Sequence, residues 1–166
     1  MGAKWQRLDG VGVVVGTMAK VFGYMVTWTT YGSWLQGDKR GYVRKGEVLS
    51  GNDELERANK RLLRGGAVRL DKKEREAIRR AILAEAERIG ERILAISVGS
   101  KHVHVVIAAG GKAISKVVSQ LKCAAYYETQ KYGVDQRMWT RGYDKRLCLD
   151  EESLMARVRY VGKHEG

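Results

Sequence analysis

The sequence predicts a single α+β domain in which helices cover an antiparallel sheet, and three observations predict it. Runs rich in β-branched and aromatic residues fall at 23–32, 92–99, 101–109 and 137–149. Two stretches between them repeat their apolar residues at helical spacing. The 166 residues, 44% of them apolar, most simply make one domain with one core.

Residues 1–22 read as an N-terminal extension, floppy or weakly paired. Its apolar patch at 11–19 is glycine-rich and far short of the roughly 20 residues needed to span a bilayer. The rest, 23–166, is the domain proper. "GYMVTWTTYG" at 23–32 is the first strand. Residues 33–69 mix glycines with charges and read as a long insertion with a short helix near 54–63; loops of that length are commonly functional.

From Asp71 the period changes. Asp71 and Glu74 form a capping box, and Ile78, Ile82, Ala86, Ile89 and Ile93 follow at spacings of 4, 4, 3 and 4, which makes one helix face apolar. "RILAISVG" and "KHVHVVIAA" then read as a strand hairpin. Ile114, Val117, Val118, Leu121 and Ala125 mark a second amphipathic helix that Gly133 can close. Residues 137–149 give a fourth strand or strand pair. Asp150 caps a last helix with Glu151 and Glu152 at its positive end and Leu154, Val158 and Val161 on one stripe. The order β, insertion, α, β, β, α, β, α fits a ferredoxin-like sheet with helices on one face plus a terminal helix. That scaffold hosts many functions and selects none.

Lys and Arg number 31 against 19 Asp and Glu, a formal charge of +12, which points to nucleic acid or another anionic partner. Two cysteines with no CxxC spacing suit a reducing cytoplasm and make neither a ligand candidate; nothing in the sequence predicts membrane attachment. Only three histidines occur. His102 and His104 stand two apart on a strand and so share a face, where they could hold one metal ion or simply line a solvated surface. Tyr160 and His164 stand four apart in the last helix, beside its apolar stripe. If that helix crosses the face carrying His102 and His104, all three imidazoles converge with a tyrosine hydroxyl. The other reading of Tyr160 is a rim tyrosine.

The chain from about Gly23 onward resembles the single-tyrosine HUH transposases of insertion sequences and the REP-associated tyrosine transposases. The resemblance is carried by "TWTTYGSWLQGDKRGYV", the triplet His102-Val103-His104, "SKVVSQLKCAAYYETQKYG", "MWTRGY" and "RYVGKH", in that order. It implies a ferredoxin-like HUH domain and a homodimer with a shared sheet, in which the tyrosine helix of one subunit can complete the other's site. His102 and His104 match the metal-binding histidines and Tyr160 the nucleophile. His164 falls where the family carries a polar third ligand, usually glutamine or asparagine, so histidine there is a departure.

The activity implied is cleavage and rejoining of single-stranded DNA at hairpins through a 5′-phosphotyrosine, with a divalent ion, Mg²⁺ or Mn²⁺. Tyrosine, with a free pKa near about 10, attacks a phosphodiester only when a nearby cation stabilises the phosphate. Imidazole ligands suit Mn²⁺ better than Mg²⁺. Gly162 costs a helix about 1 kcal/mol relative to alanine, as a swinging tyrosine segment would require.

The aromatics Trp28, Tyr31, Trp34, Tyr42, Trp139 and Tyr143 are interleaved with cations, a mixture suited to single strands. The candidate DNA contacts are Lys39, Arg40 and Arg44 in a basic loop running to Lys45, Lys116 and Lys122 on the second helix, and Arg141, Lys145 and Arg146. Trp28 and Trp139 are assigned to the core. Tyr126, Tyr127 and Tyr132 compete with Tyr160 as nucleophile. Two other functions fit the same residues: an HUH replication-initiator nickase, through the YxxK pattern Tyr160–Lys163, and a non-catalytic ferredoxin-like nucleic-acid-binding module.

Overall fold

Alternation of side chains along two central strands divides the molecule into two faces, and each face finds its own helices. The computed structural model describes residues 5–8, 11–14, 19–44, 47–133 and 137–164. Strands β3 (Gly23–Thr29), β6 (Ile93–Val98), β7 (His102–Ala108) and β8 (Asp144–Cys148) form one sheet in the order β6-β7-β3-β8, every neighbouring pair antiparallel. With α2 (Lys72–Arg88) between β3 and β6, and α3 (Ile114–Gln130) between β7 and β8, this is the ferredoxin-like arrangement that the element order predicts.

One face carries Val26 and Trp28 of β3, Val103, Val105 and Ile107 of β7, and Ile96 of β6. These pack against Ile78, Ile82 and Ala86 of α2 and Val117, Val118 and Leu121 of α3. Helix α2 begins with both halves of the capping box made between Asp71 and Glu74. Trp28 and Trp139 are buried in this core with rings edge to face, 6.1 Å apart.

The opposite face is covered by α4 (Glu151–Gly162). Val161, fully buried, packs with Met25 and Val106, and Leu154, Val158, Leu94 and Ala95 flank them. The terminal helix therefore does not join α2 and α3; it closes the other side of the sheet. Gly23 makes this possible, because a Cβ there would lie 2.7 Å from Leu154 Cδ1 and 2.6 Å from the Ile107 carbonyl oxygen.

Several expectations are refined. Residues 5–8 and 11–14 of the extension pair as an antiparallel hairpin, β1 (Trp5–Leu8) and β2 (Val11–Val14), and the remainder of 1–18 lies outside the described residues. The insertion contains α1 (Asp53–Arg61), close to the helix expected there, and a hairpin the periodicity does not show, β4 (Tyr42–Arg44) with β5 (Glu47–Leu49). It is tied down at its return, where Val68 N–H bonds the Tyr31 carbonyl and Leu70 N–H the Ser100 carbonyl, both at 2.8 Å. The fourth strand is Asp144–Cys148 alone, preceded by a single bridge from Trp139 to Thr30. Gly162 is the last residue of α4 rather than an interior one.

Gly23→Ala should destabilise the protein by about 1–3 kcal/mol through overpacking beneath α4, whereas Gly111→Ala, where a Cβ meets nothing within 4 Å, should be close to neutral. Urea denaturation of the two variants checks this.

Candidate active site

Strand parity puts His102 and His104 on the α4 face, because Val103, Val105 and Ile107 point into the other core. Register then sets their neighbours: His104 lies between Thr27 of β3 and Ser97 of β6, and His102 lies beside Thr29. The Thr27 hydroxyl is 2.8 Å from His104 Nδ1. The His102 ring rests against Gly99, where a Cβ would come within 3.2 Å of its Cε1 and Nε2. A larger residue at that turn would displace the imidazole.

Helix α4 delivers the remaining groups. Asp150 caps it, accepting from Ser153 N–H at 2.6 Å, and Glu151 and Glu152 complement the positive end of its dipole. With Val161 buried, the adjacent Tyr160 stays 44% exposed. The Ser97 hydroxyl donates to the His164 carbonyl at 2.7 Å and ties the helix end to β6. The rings form one cluster: His102 to His104, 4.6 Å; Tyr160 to His164, 4.5 Å; His104 to His164, 6.0 Å; His104 to Tyr160, 6.1 Å between centroids. Tyr160 thus stands over the histidines of its own chain.

Burial, and then the charge of neighbouring imidazoles, pushes the His104 pKa down to about 4 and lowers that of His102. Both are therefore neutral near pH 7, the form that binds metal. Their fit to an ion rests on the pair: two adjacent imidazoles, one oriented through Nδ1 by a hydroxyl as metal-bound histidines usually are. Among the described residues no three His, Cys, Asp or Glu side chains already converge as a metal site. The His164 ring, 6.0 Å from that of His104 between centroids, does not complete such a group.

The predicted DNA contacts separate into groups. Arg141 lines an open cleft of about 510 Å³ with Trp34, Thr27, Thr29, Thr140 and Asp144, next to the histidine row. Arg146 shares the histidine face and pairs with Asp144 at 3.2 Å, while Lys145 lies opposite Val26 and shares the other face. Lys39 and Arg44 are exposed in the insertion; Lys45 lies outside the described residues. Arg40 is clamped by Asp38 at 2.6 Å and lies over the Trp34 ring. Two of the predicted contacts stand away from the histidine row. The Lys122 ammonium is half-buried and donates to the Thr140 and Gly142 carbonyls, both at 2.9 Å, so it secures the 140–143 segment instead of facing solvent. Lys116 lies near the start of α3, beyond the Ala108 end of β7 and across the sheet from the histidines.

Tyr126 and Tyr127 belong to α3 and Tyr132 follows it, so the sheet separates all three from the imidazoles. Sequence reasoning did not single out Thr27, Ser97 or Gly99, whose places follow from strand register.

No protein-family model matches the sequence, and neither does any curated protein. Solved structures match its fold. One, a REP-associated tyrosine transposase bound to a REP hairpin, aligns with a TM-score of 0.51 at 14% identity over 86% of this chain. This chain spans 65% of that one's length. A second, from Deinococcus radiodurans R1 and named provisionally as a transposase, gives a TM-score of 0.48 at 14% identity over 91% of this chain and 96% of that one, too low to carry an argument. The first likeness establishes a shared fold.

The depressed histidine pKa values set a pH dependence for the metal-free protein. As pH falls from about 6.5, the unfolded histidines take up protons that folded His104 refuses until about pH 4, so stability should decline across that window. Urea melts in chelator at pH 7.5, 6 and 5 should show the decline, and His104→Asn should flatten it.

Proposed function

We propose that this protein is a metal-dependent single-stranded DNA transposase that cleaves and rejoins DNA through a 5′-phosphotyrosine intermediate. The observation that carries the reading is the convergence of Tyr160 on the His102/His104 pair, with rings 4.6 and 6.1 Å apart on one sheet face. A net charge of +12 supports a nucleic-acid substrate, and a hairpin-bound neighbour of the same fold supports a hairpin.

In this reading His102 and His104 hold a divalent ion, with Mn²⁺ suited to the nitrogen ligands and Mg²⁺ workable with added water and phosphate oxygens. When bound, the ion supplies Lewis-acid polarisation of the scissile phosphate. With its proton on Nδ1, His104 donates to the Thr27 hydroxyl, and that tautomer leaves the Nε2 lone pair free for the ion. Ser97 and Val161 fix the helix that carries Tyr160. The phenolic oxygen forms a bond to phosphorus as the bond from phosphorus to O3′ breaks, and the phenolic proton passes to solvent while O3′ takes one up. The products are a 5′-phosphotyrosine and a free 3′-hydroxyl, and attack by a 3′-hydroxyl reverses the step with no external energy source.

Because Tyr160 reaches the histidines of its own chain, a single chain carries the whole constellation. A homodimer would then hold two DNA ends together without assembling the site. Among the described residues no helix is long and apolar enough to cross a membrane.

The test is a denaturing gel for a covalent adduct with labelled single-stranded hairpins. With Mn²⁺ the wild-type protein should form an adduct that EDTA abolishes. Tyr160→Phe should remove it, His102→Ala and His104→Ala should each reduce it by about a hundredfold or more, and Tyr127→Phe should leave it intact. Chelator-insensitive binding with no adduct would instead identify a binding module.

A further inference from the structure

The cleft beside the histidine row has a wall that the proposed chemistry leaves unexplained. Trp34 is 48% exposed, yet it is held in place: its indole N–H donates to the Gly41 carbonyl at 2.9 Å, and the Arg40 guanidinium lies 4.5 Å from its ring centroid. Arg40 is itself fixed by two hydrogen bonds to Asp38, at 2.8 and 2.6 Å, which hold the Asp38 carboxyl down at about 2. An exposed indole built this way has already surrendered its rotamer freedom. Stacking a planar ligand on it costs little further ordering.

The opposite wall is polar and also fixed. Lys122 holds the 140–143 backbone through two carbonyls, and the Thr29 and Thr140 hydroxyls are 2.8 Å apart. Arg141 and Asp144 bring a donor fork and an acceptor to the same cleft. Aromatic wall, donors, acceptors and an overall basic charge are together the chemistry of an unpaired base on a phosphate backbone. Thr27 fixes the location, since it lines this cleft and also bonds His104.

We propose that this cleft receives one unpaired nucleobase of single-stranded DNA, stacked on Trp34, in the nucleotide next to the phosphate that Tyr160 attacks. Its place beside that phosphate rests on the function proposed above; binding of a base does not. Trp34 is then a binding residue outside the metal and tyrosine cluster, and Asp38 and Arg40 are its positioning residues. A base within a duplex is stacked on both sides and cannot use the wall, so the cleft selects single strands.

The experiment uses the full chain in EDTA, so that no ion holds the phosphate. Calorimetry measures binding of the deoxytetranucleotides dA4, dC4, dG4 and dT4, and adduct formation with labelled hairpins and Mn²⁺ is followed in parallel. At least one tetranucleotide should bind. Trp34→Ala should weaken it by about tenfold or more, while Trp34→Phe, which keeps a stacking ring and serves as the folding control, should stay within about threefold. In the gel, Trp34→Ala should slow adduct formation without abolishing it. Equal affinity of wild type and Trp34→Ala, or no tetranucleotide binding at all, overturns the cleft assignment even if the wild type forms an adduct. Trp34-dependent binding with no adduct from any hairpin upholds the cleft and overturns the proposed chemistry.

Discussion

The seating of α4 on the free face of the sheet is the constraint on which the rest of the site depends. Val161 is its anchor, fully buried against Met25 and Val106, and burial of a side chain of that size is worth about 1.5–3 kcal/mol. Once Val161 points into the sheet, helical geometry puts Tyr160 and His164 beside it, over β7. Gly23 removes the Cβ that would hold the helix away, and Ser97 fastens the far end of the helix at the His164 carbonyl. Three ordinary features, an apolar anchor, a missing methyl and one hydroxyl, bring a tyrosine from the end of the chain to the histidines of a central strand.

The electrostatics of this cluster suit it to a cation in spite of the overall charge. The two strand histidines are half-buried and held neutral by desolvation, so they contribute lone pairs where a protonated pair would repel a metal ion. Arg141 lines the cleft beside the histidines and Arg146 shares their face on β8, and Arg40 and Arg146 are already engaged with Asp38 and Asp144. An anionic strand would meet a basic approach and a neutral, ligating centre, the division of labour that phosphoryl chemistry on DNA requires.

Much of this was legible in the sequence because it depends on period. Two-residue alternation put His102 and His104 on one face, four-residue spacing aligned Tyr160 with His164, and Asp71 and Glu74 marked the start of α2. What could not be read depends on pairing between distant segments. Nothing local to Thr27 says that it meets His104 across 77 positions, and nothing local to Lys122 says that two carbonyls of the 140–142 turn will claim its ammonium. The β4–β5 hairpin escaped because strands of three residues are too short to show alternation. The stripe on α4 was visible, but the face it would choose was not, since α2 and α3 had first to fill the other.

The most direct measurement is an NMR titration of the full chain with Mn²⁺, following the ring protons of its three histidines and of Tyr160. If the sheet face and α4 together form a metal site, the His102 and His104 signals should broaden first and at substoichiometric ion, with Tyr160 and His164 broadening alongside. Sharp imidazole signals at saturating Mn²⁺, or broadening confined to the acidic first turn of α1, would contradict the account.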